Sequence, residues 1–121
     1  MDNKTARDKA ERIVKRLERG EGVDPQIHPT KLLLFGSTLK KKEKPGDLDL
    51  ILEYERTDVF DSSENVRAIM GQGMKFSAIY RTIRDIKKGM RKIDIVPVLN
   101  GDYEKENILE LSPTEVIWEA S

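Results

Sequence analysis

Cysteine is absent from this 121-residue chain, which excludes a disulfide framework and any thiolate metal site. No apolar run approaches the roughly 20 residues of a membrane span. Met1 to Arg19 mixes charges without the apolar stretch of a secretory signal. The expectation is a soluble cytoplasmic protein with no membrane partner. An excess of either charge is missing too: Lys plus Arg and Asp plus Glu number 22 each, so net charge does not speak for or against a nucleic-acid partner. Histidine is scarce. His28, between Ile27 and Pro29, reads as a surface residue rather than a base. Internal repeats, low-complexity tracts and linkers are also lacking. A chain of this length suits one domain, residues 1–121, with one hydrophobic core and no separate substrate domain.

What is present is strong local patterning. From Lys4 to Arg19, Ala6, Ala10, Ile13, Val14 and Leu17 recur at helical spacing, and Gly20 and Gly22 end the helix. Residues 24–30 carry Pro25 and Pro29 and read as loop. Lys31 to Phe35 is a short apolar strand stopped by Gly36. A lysine-rich connection, 37–46, closes on the turn signal Pro45-Gly46. Asp47 to Tyr54 is a second strand, antiparallel to the first if the two form a hairpin. Ser62 or Ser63 caps a helix to Met70, which Gly71-Gln72-Gly73 breaks. Ser77 to Lys88 is a better helix, with Ile79, Ile83 and Ile86 on one face. Arg91 to Leu99 is a third strand and Asn100-Gly101 a turn. In the tail, Ser112-Pro113 opens a helix or residues 115–118 form an edge strand; the pattern fits both. Met70, Met74 and Met90 read as core filler, and Phe76, Tyr80 and Trp118 as apolar packing.

The chemistry concentrates in the second and third strands. Side chains on a strand alternate faces, so Asp47 and Asp49 share one face while Leu48, Leu50 and Leu52 share the other. Two carboxylates this close repel unless a cation sits between them. Oxygen-only ligands suit a hard ion, magnesium or manganese. The third strand repeats the design: in Lys92-Ile93-Asp94-Ile95-Val96 the isoleucines face one way and Asp94 the other. If the two strands are neighbours, Asp94 joins Asp47 and Asp49. Three such carboxylates can bind two metals about 3.5–4 Å apart, the spacing of in-line phosphoryl chemistry. An isolated Asp-x-Asp is ordinarily a strand end or solvated edge. A third Asp inside an otherwise apolar strand weakens that explanation, because an unpaired charge there is costly.

Upstream stands Leu33-Leu34-Phe35-Gly36-Ser37, then nine residues, then Asp47-Leu48-Asp49-Leu50. With Asp94 as a later third acid, this pattern resembles the signature of the DNA polymerase beta-like nucleotidyltransferase superfamily, in particular its minimal members, over roughly residues 31–99. Independently, Gly36 permits close approach of a phosphate to the backbone, and Ser37 adds a hydroxyl donor. The resemblance implies an α/β (α+β) fold: a small mixed sheet with helices on one face and the site on the other. It implies that Gly36 and Ser37 contact the phosphates of a nucleoside triphosphate, with ATP as the expected donor. Asp47 and Asp49 would ligate metal, and Asp94 would complete the catalytic metal site and help deprotonate an acceptor hydroxyl.

The chain departs from the family where many members carry Arg-Ala-Arg-Gly after Gly-Ser. Here Thr38-Leu39-Lys40-Lys41 follows. Lys40 replaces the second arginine and gives up bidentate geometry on phosphate. Lys41, Lys42 and Lys44 add positive potential, though a lysine run with Glu43 in it is equally a solvated loop. Two alternatives accompany the enzyme reading. Small members of the superfamily are often antitoxins paired with a helical partner protein, some modifying that partner with AMP. Asp-x-Asp also marks sugar-nucleotide glycosyltransferases, whose folds need a longer chain and leave Gly36-Ser37 unexplained. No matched residue holds the acceptor. The acceptor is therefore expected at an interface with a second copy or another protein, for which Ile108, Leu109, Leu111, Val116, Ile117 and Trp118 are candidates; completion of the chain's own core is the competing role for them.

Overall fold

The computed structural model describes residues 3–35, 48–103 and 114–120. Its elements run α1 (Asn3–Arg19), β1 (Ile27–Phe35), β2 (Leu48–Arg56), α2 (Ser62–Gln72), a single 3₁₀ turn (Met74–Phe76), α3 (Ala78–Ile86), β3 (Ile93–Leu99) and β4 (Glu115–Glu119). The four strands form one mixed sheet in the order β3-β2-β1-β4. β1 is antiparallel to β2 and β4, while β2 and β3 run parallel. This is the expected α+β architecture. Among the described residues, no helix is long and apolar enough to cross a membrane.

One face of the sheet carries the main core. Leu32 and Leu34 of β1, Leu48, Leu50 and Leu52 of β2, and Ile93 and Ile95 of β3 pack with Ala6, Ala10, Ile13 and Leu17 of α1 and Ile83 and Ile86 of α3. Each fully buried Leu or Ile contributes about 1.5–3 kcal/mol relative to exposure. The C-terminus of α1 is then tied down. Gly20 takes the left-handed conformation (φ 68°) that closes a helix, and the Arg16 guanidinium donates to the carbonyls of Ile86 (2.7 Å), the last residue of α3, and Lys88 (2.9 Å) just beyond it.

Several boundaries differ from the sequence reading, each for a local reason. β1 begins at Ile27, within the expected loop. Its pairing with β2 shifts between Pro29 and Lys31, so Pro29 sits at a bulge, a strand position that tolerates a missing N–H. The shift also changes which residues face the helices, from Ile27 before it to Leu32 and Leu34 after it. His28 is exposed on this strand rather than in a loop. α2 is capped by Asp61, not by Ser62 or Ser63: the Asp61 carboxylate accepts from the Glu64 N–H at 3.0 Å. The helix runs through Gly71 and stops at Gly73 (φ 103°). β3 starts at Ile93 because Lys92 is left-handed (φ 58°), although the Lys92 carbonyl still accepts from the Leu48 N–H at 2.8 Å. The tail adopts the edge-strand alternative, β4, with Ile117 and Trp118 packed against the main core and Val116 exposed. Of the methionines, Met90 packs on the core, but Met70 and Met74 are exposed, which corrects their assignment as filler. The connection 37–46, Ser112-Pro113 and the residues Ile108, Leu109 and Leu111 lie outside the described residues.

The link between α1 and β1 is held by Asp24. Its carboxylate accepts from the Gln26 N–H (3.0 Å) and from Arg81 of α3 (3.0 Å), and its own N–H donates to the buried Thr82 hydroxyl (3.1 Å). Burial alone would raise the Asp24 pKa. The Gln26 N–H and the Arg81 guanidinium outweigh it and hold the carboxyl below its usual value of 3.8. A depressed carboxyl pKa contributes stability that is present above the unfolded value and lost as pH falls through the folded one. Asp24→Ala is therefore expected to cost about 2 kcal/mol at pH 7, the scale of hydrogen bonds to a charged group. Urea titrations across pH should show the gap between wild type and variant shrinking below about pH 4. A gap constant down to pH 2 would assign the loss to packing.

Candidate metal and nucleotide site

Because the leucines of β2 and the isoleucines of β3 are committed to the helix face, the residues between them are turned to the other face. In the parallel β2–β3 ladder Leu48 pairs with Ile93, Asp49 with Asp94, and Leu50 with Ile95. The two acids are therefore direct neighbours on adjacent strands, which lie about 4.8 Å apart. Asp49 is half-buried and takes part in an interaction within the protein; Asp94 is exposed. Like charges placed opposite one another in a sheet are destabilising. Nothing in the helix packing calls for them, since both point away from it.

The row extends across the sheet. On the β1 side Asp49 pairs with Phe35, so the row reads Asp94, Asp49, Phe35. The next residue in the chain is Gly36, followed by Ser37. β1 thus ends, at Phe35, in the same row as the two acids. Behind that row the face is apolar: Leu33, Ile51 and Val98 form a small cluster, with Phe35 and Tyr103 packed on it. Of the residues assigned from sequence, Asp49 and Asp94 are brought together on one face. Asp47, which precedes Leu48 directly, and Gly36, Ser37 and Lys40 lie outside the described residues. Among the described residues no group of three metal-ligating side chains gathers; the described part of the site is this pair. Its donor set, carboxylate oxygens only, with one side chain open to solvent, fits a hard divalent cation rather than a soft one.

Glu53, also on this face, escaped the sequence reading. Glu53 pairs in register with Val98 on one side and Lys31 on the other. The Tyr103 hydroxyl donates to it. Burial, that hydrogen bond and the Glu53 charge together push the Tyr103 pKa well above its ordinary value. Glu53 lies four positions along β2 from Asp49, about 13 Å in an extended strand, so Glu53 belongs to a structural pair and not to the acid row. The period-two series Asp49, Ile51, Glu53 was the available signal; Tyr103, fifty residues away, supplied none.

No protein-family model, curated protein or solved structure matches the chain.

The like-charge pair makes a stability test. In chelator, Asp94→Asn is expected to raise the melting temperature by removing the repulsion. With excess Mn²⁺ the order should reverse, because wild type gains more from the bound ion: about 2.7 kcal/mol at a hundred times the dissociation constant. A variant that melts below wild type in chelator and gains equally from Mn²⁺ would leave the pair without a metal role.

Proposed function

We propose that the protein is a metal-dependent nucleotidyltransferase that moves a nucleoside monophosphate from a nucleoside triphosphate, ATP in the first instance, to an acceptor hydroxyl. The observation that carries this reading is the in-register pair Asp49–Asp94, on the face opposite the helices, in the row from which the chain enters Gly36-Ser37. The resemblance of Gly36-Ser37, Asp47-Leu48-Asp49 and Asp94 to the superfamily signature supplies the reaction class.

In this reading Gly36 and Ser37 hold the phosphates through backbone N–H groups and a hydroxyl, and Lys40 adds a positive charge without a bidentate grip. Asp47, Asp49 and Asp94 are the ligands for Mg²⁺ or Mn²⁺. Bound metal would neutralise phosphate charge and lower the pKa of the attacking hydroxyl. The acceptor oxygen forms a bond to the α-phosphorus as the bond to the bridging oxygen breaks. Pyrophosphate leaves with that electron pair, and the hydroxyl proton passes to Asp94 or to solvent beside it. The sheet fixes the relative position of Asp49 and Asp94 before substrate arrives, and such preorganisation is the main contribution a protein makes to phosphoryl chemistry.

The roles separate by variant. Asp94→Asn is expected to retain nucleotide binding, since Asp47 and Asp49 remain, and to lose transfer. Asp47→Asn with Asp49→Asn is expected to lose Mg²⁺-dependent binding as well. Isothermal titration with ATP and Mg²⁺, and mass spectrometry of candidate acceptors after incubation with each nucleoside triphosphate, read the two properties. Near wild-type transfer by Asp94→Asn would make that residue structural. Metal-dependent ATP binding by the double variant would end the proposal.

A further inference from the structure

The other end of β2, on the helix face, holds a cavity of about 210 Å³. Its walls include Tyr54, Phe60, Ile69, Met74, Tyr80 and Pro97, and Arg56 stands among them. Tyr54 lies five residues from Asp49, about 17 Å along the strand, and faces the opposite side of the sheet. The cavity is thus separate from the acid row, and nothing said of it rests on the nucleotidyltransferase reading.

Three observations define what it fits. The first is size. Apolar cavities of about 150 Å³ take up a benzene ring, whereas sites for whole small molecules run to about 300–1,000 Å³. A volume of 210 Å³ suits one aromatic or branched aliphatic side chain. The second is polarity. The polar side chains Asn65 and Ser77 in the wall are engaged internally. Asn65 donates to the Gln26 side chain (3.0 Å) and the Asp61 carbonyl (2.7 Å) and accepts from the Ala78 N–H (2.8 Å), while Ser77 donates to the Met74 carbonyl (2.9 Å). Arg56 differs: its guanidinium lies over the Phe60 ring at 4.4 Å, and among the described residues no carboxylate pairs with it. The third is the rim. Ile69 and Met74 are wall residues and yet exposed, and Val66 and Met70 continue an apolar stripe along α2 at helical spacing, Met70 at 82% exposure. Exposed apolar stripes of this kind, methionine-rich ones above all, mark protein contacts.

We propose that this cavity and the α2 stripe form a docking site for a segment of another protein, which inserts one aromatic or branched aliphatic side chain and presents an adjacent carboxylate to Arg56. The apolar anchor fills the cavity, the backbone around it covers Met70 and Val66, and the carboxylate meets Arg56, which no acid engages among the described residues. Anchors of this kind in desolvated pockets dominate binding energy, and the charge pair sets orientation.

The test uses the full chain with ¹³C-methyl methionine and two acetylated, amidated peptides, AEEFEEA and AEELEEA. At least one is expected to shift the Met74 methyl saturably while the core methyl of Met90 stays in place. Arg56→Gln should weaken that binding at least tenfold and Ile69→Glu should abolish it. Both sites are exposed, and circular dichroism checks that both variants fold. The control peptides AEEAEEA, lacking the anchor, and AKKFKKA, lacking the acid, should fail. No saturable Met74 shift with either acidic peptide overturns the proposal, as does equal binding by AKKFKKA or by Arg56→Gln. Binding of 3-phenylpropionate as tight as that of the peptides would assign the cavity to a small free acid instead.

Discussion

β2 is the strand on which everything else depends. It lies between β1 and β3, and its leucines, Leu48, Leu50 and Leu52, are fully buried under the helices. With period-two alternation this leaves Asp49 no choice of face. A slip of one residue would bury the carboxylate under α1 and α3 and expose the leucines, at a cost the domain's marginal stability could not sustain. The position of Asp49 is therefore enforced by apolar packing on the opposite side of the sheet. Parallel pairing with β3 then applies the same rule to Ile93, Asp94 and Ile95 and sets the second acid beside the first. The sheet holds two like charges side by side on the face away from the helices, and the helix packing calls for neither, which motivates the proposed cation at that place.

This central feature was readable from sequence because it depends only on alternation. Leu-Asp-Leu and Ile-Asp-Ile declare their faces whatever the rest of the chain does, and α1 declared itself by helical spacing in the same way. What was not readable depends on breaks in period or on distant partners. The bulge after Pro29 changes the phase of β1, so Ile27 falls out of step with Leu32 and Leu34 and the strand's first residues look like loop. Asp61 and Ser62 are both good caps, and only the geometry chooses between them. Lys92 adopts a left-handed backbone that propensity would not assign to lysine. Met70 of α2 and Met74 after it fit an apolar pattern, but both are exposed. The Asp24–Arg81–Thr82 and Glu53–Tyr103 contacts join residues some fifty positions apart, and a single sequence holds no trace of such pairs. For the site itself, Asp94 was expected beside Asp49 if the second and third strands paired, and they do; Gly36, Ser37, Lys40 and Asp47 lie outside the described residues.

The fold places its two unusual surfaces far apart. The acid row lies near the start of β2 on the face away from the helices; the cavity with Arg56 lies near the end of β2 on the helix face. The charges are of opposite sign and so are the partners they suit, a cation at one and a carboxylate with an apolar anchor at the other. The main core, from Ala6 to Ile95, lies on the helix face, with the sheet between it and the acids.

The most direct test of the central claim is where a paramagnetic ion sits. Mn²⁺ added at substoichiometric levels to ¹⁵N-labelled protein broadens the amides nearest its binding site. The account predicts broadening centred on residues 48–50 and 93–95, absent in Asp49→Asn, with the cavity residues Tyr54, Ile69 and Tyr80 unaffected. Broadening spread over surface acids such as Glu11, Asp58 and Glu64, and unchanged by Asp49→Asn, would contradict it.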